Sequence, residues 1–197
     1  MIKKILFITI LTTLVNSTTL DSYSQSSEQL KEAISLINKK INLDKAYNLL
    51  LQSSKAGNLN ATYTLGKFYL SKITPYYDKI NAYNTLLKAA NANHSKSQLI
   101  IGKFFLQGKI VEKDYEKAMY YFKEASKQKL YDANCYIAYM YATGKGVFPN
   151  FGRAAVFAKD EYKKGNKLCK KIWKDYNLDK YPQDKSWKIG DYLKPVK

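Results

Sequence analysis

The stretch ANCYIAYMYATGKGVFPNFGRA, residues 133–154, decides the fold. Ala133, Ile137, Ala138 and Tyr141 stand at i, i+4, i+5 and i+8, so they share one helical face. Gly144-Lys145-Gly146 then breaks the helix, and Asn150 can accept from the unpaired amides that begin the next one. In steps of 36 residues along the chain the same pattern returns. Ala46, Ala82, Ala118 and Ala154 form one column, and Ala61, Ser97, Ala133 and Cys169 a second, both small throughout. Leu65, Ile101, Ile137 and Trp173 make an apolar third. Tyr69, Phe105 and Tyr141 make a fourth that is aromatic until Asn177, with Gly66, Gly102 and Ala138 beside it. One register without insertion or deletion defines copies at 42–77, 78–113, 114–149 and 150–185, the last degenerate.

Each copy holds two amphipathic helices, as the i, i+3, i+4, i+7 spacing of Ala46, Leu49, Leu50 and Ser53 shows. The first helix closes near Gly57, Asn93, Lys129 or Gly165, where glycine or asparagine readily takes the left-handed conformation. Asp78, Asp114 and Asn150 are placed to cap the helix that follows. Small residues at 66, 102 and 138 let the paired helix approach closely, and every column is expected to be buried. The fold expected is all-α, a right-handed α-solenoid of helix-turn-helix repeats without sheet. Its helices should centre at about residues 32, 49, 65, 85, 101, 120, 138, 157 and 172.

Small residue, Leu-Gly, aromatic, Gly-rich loop, Asp and Lys-Ala in this order resemble the Sel-one-like repeat, one of the tetratricopeptide-like helical repeats. The motif reads Ala61, Leu65-Gly66, Tyr69, Asp78 and Ala82, and again Ser97, Ile101-Gly102, Phe105, Gly108, Asp114 and Lys117-Ala118. The resemblance covers roughly residues 42–178. Two departures stand out: Pro75-Tyr76-Tyr77 in a glycine-free loop after Tyr69, and Trp173-Lys174 in place of the Leu-Gly pair.

Outside the array, Met1–Ser17 reads as a cleaved secretory leader, with Lys3 and Lys4 before an apolar run too short to span a bilayer. That places the mature chain in a bacterial periplasm or outside the cell, with no membrane span. Residues 18–41 supply a capping helix with Leu30, Ala33, Ile34 and Ile37 on its apolar stripe, because an array must cover its stacking face. Residues 186–197 form a tail in which Trp187, Ile189 and Tyr192 could fold back as a lid.

The 33 Lys+Arg against 16 Asp+Glu give a net charge of +17, which suits acidic partners, although an AT-rich coding bias would produce the same lysine excess. Arg153 is the single arginine, which argues against dedicated nucleic-acid reading. Reactive groups are scarce. His94 stands at an expected helix end beside Asn93, where terminal carbonyls or water are its ordinary partners. No catalytic constellation, metal site or cofactor-binding motif emerges, and Gly144-Lys145-Gly146 lacks the Lys-Ser/Thr ending of a phosphate loop. Cys135 and Cys169 lie in successive copies of one helix but two residues out of register. About 200° of helix rotation separates them, so they are expected to leave neighbouring helices on opposite faces and to stay unbridged, with a thiol count deciding.

In tetratricopeptide-like arrays the helix with the Leu-Gly pair lines the concave face, so the resemblance implies a groove formed by residues off the packing stripe. These include Tyr63, Lys67, Lys96, Leu99, Lys103, Tyr139 and Lys171, with Cys135 in the same rows. Lysines interleaved with tyrosines can grip the carboxylates of an extended peptide while the rings cover its apolar parts. The expected function is therefore a non-enzymatic secreted scaffold for a protein or peptide, acidic in character. Two alternatives stay open: a cell-wall or β-lactam hydrolase like some cysteine-rich relatives, and a charge-driven binder of anionic polymers. The sequence leaves the oligomeric state undetermined.

Overall fold

A computed structural model describes residue 22 and residues 24–182. The expected leader (1–17) and the tail with Trp187, Ile189 and Tyr192 lie outside the described residues. Among those residues the structure is all-α: α1 (24–39), α2 (Leu43–Lys55), α3 (Leu59–Tyr69), α4 (Lys79–Asn91), α5 (Ser95–Gln107), α6 (Tyr115–Lys127), α7 (Asp132–Thr143), α8 (Phe151–Lys163) and α9 (Lys167–Asp175), then a 3-10 turn at Leu178–Lys180. Each helix centres within about a residue of its expected position. The chain divides into two compact units, up to Ala89 and from Ala90 on.

Helix boundaries repeat with the sequence period because their chemistry does. Asn42, Asp78, Asp114 and Asn150 accept from the amides of Lys45, Asn81, Lys117 and Arg153 at the starts of α2, α4, α6 and α8. Asn58, His94 and Asn166 do the same for α3, α5 and α9. Helix α7 starts without a side-chain cap. The expected closing residues Gly57, Asn93, Lys129 and Gly165 all have positive φ, between 64° and 93°.

In the first unit Ala33, Ala46, Leu50, Leu65 and Phe68 form the core, with Leu30, Leu36 and Ile37 of α1 packed on it. Ile34, expected on that stripe, is exposed; Leu36 takes its place, because α1 turns its Ala33 side to α2. The Ser53 hydroxyl donates to the Ser26 carbonyl at 2.6 Å, fastening α1 further. Gly66 meets Leu86: a methyl there would lie 2.5 Å from Leu86 Cγ. The glycine-free loop closes as its homologous loops do. Asp78 N–H donates to the Tyr69 carbonyl at 2.9 Å, matching Asp114 to Phe105 and Asn150 to Tyr141, both 3.0 Å. Tyr76 stabilises that loop by stacking on Tyr47 at 4.0 Å and donating to Asp44 at 2.8 Å. Tyr69 is only half-buried, unlike Phe105 and Tyr141, because its hydroxyl reaches out to that of Tyr47 at 3.1 Å.

In the second unit Ile101, Phe122, Ile137 and Met140 are fully buried. Gly102 takes the ring of Phe122, with a methyl there falling 2.7 Å from its edge. The degenerate copy departs from the columns. Trp173 is half-exposed and stacks on Tyr162 at 4.8 Å, while Ile172 and Leu178 enter the core. With Lys174 rather than glycine following it, α9 cannot approach its partner as α3 and α5 do, so it presents the slimmer Ile172 inward.

Candidate functional site

The residues expected to line a groove fall in both units. Tyr63 and Lys67 belong to the first unit, and Lys96, Leu99, Lys103, Tyr139 and Lys171 to the second. On α3 Tyr63 is half-buried, which pushes its phenol pKa up, and the ammonium of Lys67 one turn later lies 5.6 Å from the ring centroid. On α5 Lys103, the matching repeat position, lies 5.7 Å from the ring of Tyr136 on α7. That ring stacks on Phe122 at 4.9 Å, so a core aromatic positions a surface cation. Tyr139 on α7 is half-buried; its hydroxyl accepts from the Lys145 ammonium, which also lies 4.5 Å from the ring centroid and is held charged to higher pH by that bond. Lys96 and Lys171 are exposed and Leu99 is half-buried.

Two readings of individual residues change, and two site residues are new. Cys135, placed on the groove face, is fully buried and bonded to Cys169, with Cα atoms 5.0 Å apart. The two-residue offset is what makes the bridge possible. Residues of one column leave successive helices in the same direction, whereas side chains that meet across the gap between α7 and α9 must leave in opposite ones. His94 sits at the start of α5, not at an end facing carbonyls. Its Nδ1 accepts from Ser97 N–H at 3.2 Å, in the column that Asn58 and Asn166 occupy, and burial with nearby Lys96 lowers its pKa. Tyr136 and Lys145 were not legible as site residues. Lys145 read as part of a turn, and Tyr136 lies three residues short of the Tyr139 column, so neither carried a repeat signal.

A concavity is lined by Phe105, Val111, Glu112, Lys113, Asp114 and Lys117, none of them among the expected groove residues. Lys117 lies 5.4 Å from the Phe105 ring centroid and pairs with Asp114 at 3.0 Å, and Arg153 covers Tyr141 at 5.8 Å one repeat on. Among the described residues no group of three or more His, Cys, Asp or Glu side chains could hold a metal ion, and no helix is long and apolar enough to cross a membrane.

The model of the Sel1 repeat matches residues 37–58, 95–130 and 132–158. The chain carries Sel1 repeats. The two later matches run from α5 into α6 and from α7 into α8, so a Sel1 repeat here is the 36-residue unit read from its second helix. Solved structures agree on the fold. A Sel1 repeat protein from Oxalobacter formigenes matches with a TM-score of 0.69 at 22% identity over 82% of this chain and 68% of that one. A protective antigen present in uropathogenic Escherichia coli strains, which displays an SLR fold, matches with a TM-score of 0.67 at 23% identity. The latter match covers 78% of this chain, which spans about a third of the antigen (34%). No curated protein matches the chain by sequence. Sel1 repeats generally mediate protein–protein interaction and are typically non-catalytic scaffolds.

Proposed function

We propose that this Sel1-repeat chain is a non-enzymatic scaffold that takes an acidic protein or peptide at lysine–tyrosine pairs carried by α3 in the first unit and by α5 and α7 in the second. The recurring lysine–tyrosine pairs carry this reading: Lys67 with Tyr63, Lys103 with Tyr136, Lys145 with Tyr139. A ring beneath each ammonium limits the conformations of a side chain that otherwise loses much rotamer freedom on binding. It also presents apolar area next to a positive charge, which suits a segment mixing carboxylates with apolar side chains. A periplasmic or secreted location is part of the proposal, supported by the Met1–Ser17 pattern and by a buried disulfide of the kind that persists in oxidising compartments.

Affinity capture from an envelope extract at physiological salt tests the proposal, comparing the wild-type chain with the double variant Lys67→Glu and Lys103→Glu. A partner retained by the wild type and lost by the variant, at unchanged helical circular dichroism, is the expected result. Retention by both would remove these faces from the binding surface.

A further inference from the structure

Helix α9 has the sequence KLCKKIWKD and carries Lys167, Lys170, Lys171 and Lys174 at i, i+3, i+4 and i+7, one continuous stripe, while Cys169 and Ile172 face the core. All four lysines are exposed. Four lysines elsewhere pair with an acid three residues earlier: Lys31 with Glu28, Lys117 with Asp114, Lys127 with Glu124 and Lys164 with Glu161. On α9 the residues three places before the stripe are Lys164, Lys167, Leu168 and Lys171, so lysine follows lysine. The helix has no acid in its first turn, and its single carboxylate, Asp175, is its last residue. Among the described residues no ion pair involves any of the four. Like charges at these spacings and a cation in the first turn both oppose helix formation. The disulfide to α7 and the Trp173–Tyr162 stack hold the helix despite that repulsion.

From this arrangement we infer that α9 is a docking surface for an anionic phospholipid membrane. Four unneutralised lysines on one face of an amphipathic helix match the electrostatics of a layer of phosphate headgroups. Ammonium groups act as point charges without the directional fork of arginine, which suits headgroups that move laterally. Tyr162 already stacks on one face of Trp173, the one aromatic residue of α9, so the helix offers no row of free rings for successive bases, which disfavours single-stranded nucleic acid. The inference uses none of the lysine–tyrosine pairs and stands without them.

Flotation of the full chain with phosphatidylcholine vesicles, with and without phosphatidylglycerol, tests it at physiological salt. The wild type should bind only the anionic vesicles and dissociate as salt rises. The triple variant Lys167→Gln, Lys170→Gln, Lys174→Gln should lose binding by about a hundredfold, at roughly one kcal/mol per lysine near the surface. A charge-matched control, Lys39→Gln, Lys55→Gln, Lys88→Gln, should stay within about threefold of wild type because these exposed lysines lie off the α9 stripe and form no continuous row of their own. Equal binding to neutral vesicles, or equal losses in the two variants, overturns the assignment. So does stripe-dependent binding of a DNA oligonucleotide in place of vesicles, which would make the partner a soluble polyanion. Circular dichroism of both variants confirms that helix content is unchanged.

Discussion

At Gly102 the absence of a side chain sets the distance between α5 and α6. The aromatic ring that fills the space, Phe122, has no exposed surface, and the carbonyl of Ala118 would lie 3.2 Å from an added methyl. Phe122 is also packed between that glycine and Tyr136, so it has little room to retreat. Gly102→Ala should therefore destabilise the chain by about 1 to 3 kcal/mol in denaturant titration, despite the better helix propensity of alanine. His94 makes a prediction of a different kind. A helix cap requires an acceptor, so Nδ1 must be unprotonated, and the folded-state pKa lies below the ordinary value of 6.5. Between the two values the unfolded chain binds more protons, so stability is fully present above 6.5 and falls as pH drops toward the folded pKa. His94→Asn keeps the cap and removes the titration. Thermal melts at acidic and neutral pH should show a larger acid-side loss in the wild type than in this variant, and equal losses would exclude His94 as the source.

Among the elements, those whose boundaries depend on local chemistry were legible. Asp114 and Asn150 cap, Gly57 and Gly165 close, and a fixed period carried these assignments from copy to copy, so every helix lay close to its expected centre. What failed depended on neighbours. A column states which residues are equivalent, not which ones face each other, and hence Cys135 and Cys169 read as divergent when they are bonded. For the same reason the column placed Trp173 inside, whereas the loss of the Leu-Gly pair moved Ile172 there instead. The candidate site was half legible: Lys67 and Tyr63 stand on one helix turn, but Tyr136 beneath Lys103 comes from another helix and has no spacing signal. The bridge gives α9 its measurable dependence. Closing a segment with a sequence separation of 34 constrains the unfolded chain by about 3 to 4 kcal/mol in the chain-entropy model. Reduction, or Cys135→Ala with Cys169→Ala, should lower stability by up to that amount. It should also speed amide exchange in α9 more than in α2, since α9 is short and carries four mutually repelling lysines. Uniform loss of protection would mean that the bridge does not act locally.

Taken as a whole, the molecule combines a core that reads directly from its period with a surface dominated by one sign of charge. Two opposing electrostatic effects follow. The ion pairs of the described residues have lysine partners 35% to 70% exposed, and apart from that of Lys164 with the buried Glu161 they lie on the surface, where each contributes little and salt weakens it. Against them stands a net charge of +17 on 197 residues, which disfavours any compact state through self-repulsion. The balance decides the sign of the salt dependence. An exposed pair gains at most about 1 kcal/mol, and most of the described lysines have no such partner, so screening relieves more repulsion than it removes attraction. Raising sodium chloride from about 20 to 300 mM, across which the Debye length falls from roughly 20 to 6 Å, should raise the thermal midpoint. The variant with Lys167, Lys170 and Lys174 replaced by glutamine should gain less from salt, since part of its repulsion is already gone, and should start from a higher midpoint at low salt. A midpoint that falls with salt in the wild type would show that the ion pairs outweigh the lysine excess, and the account of α9 as a helix held against its own charge would fall with it.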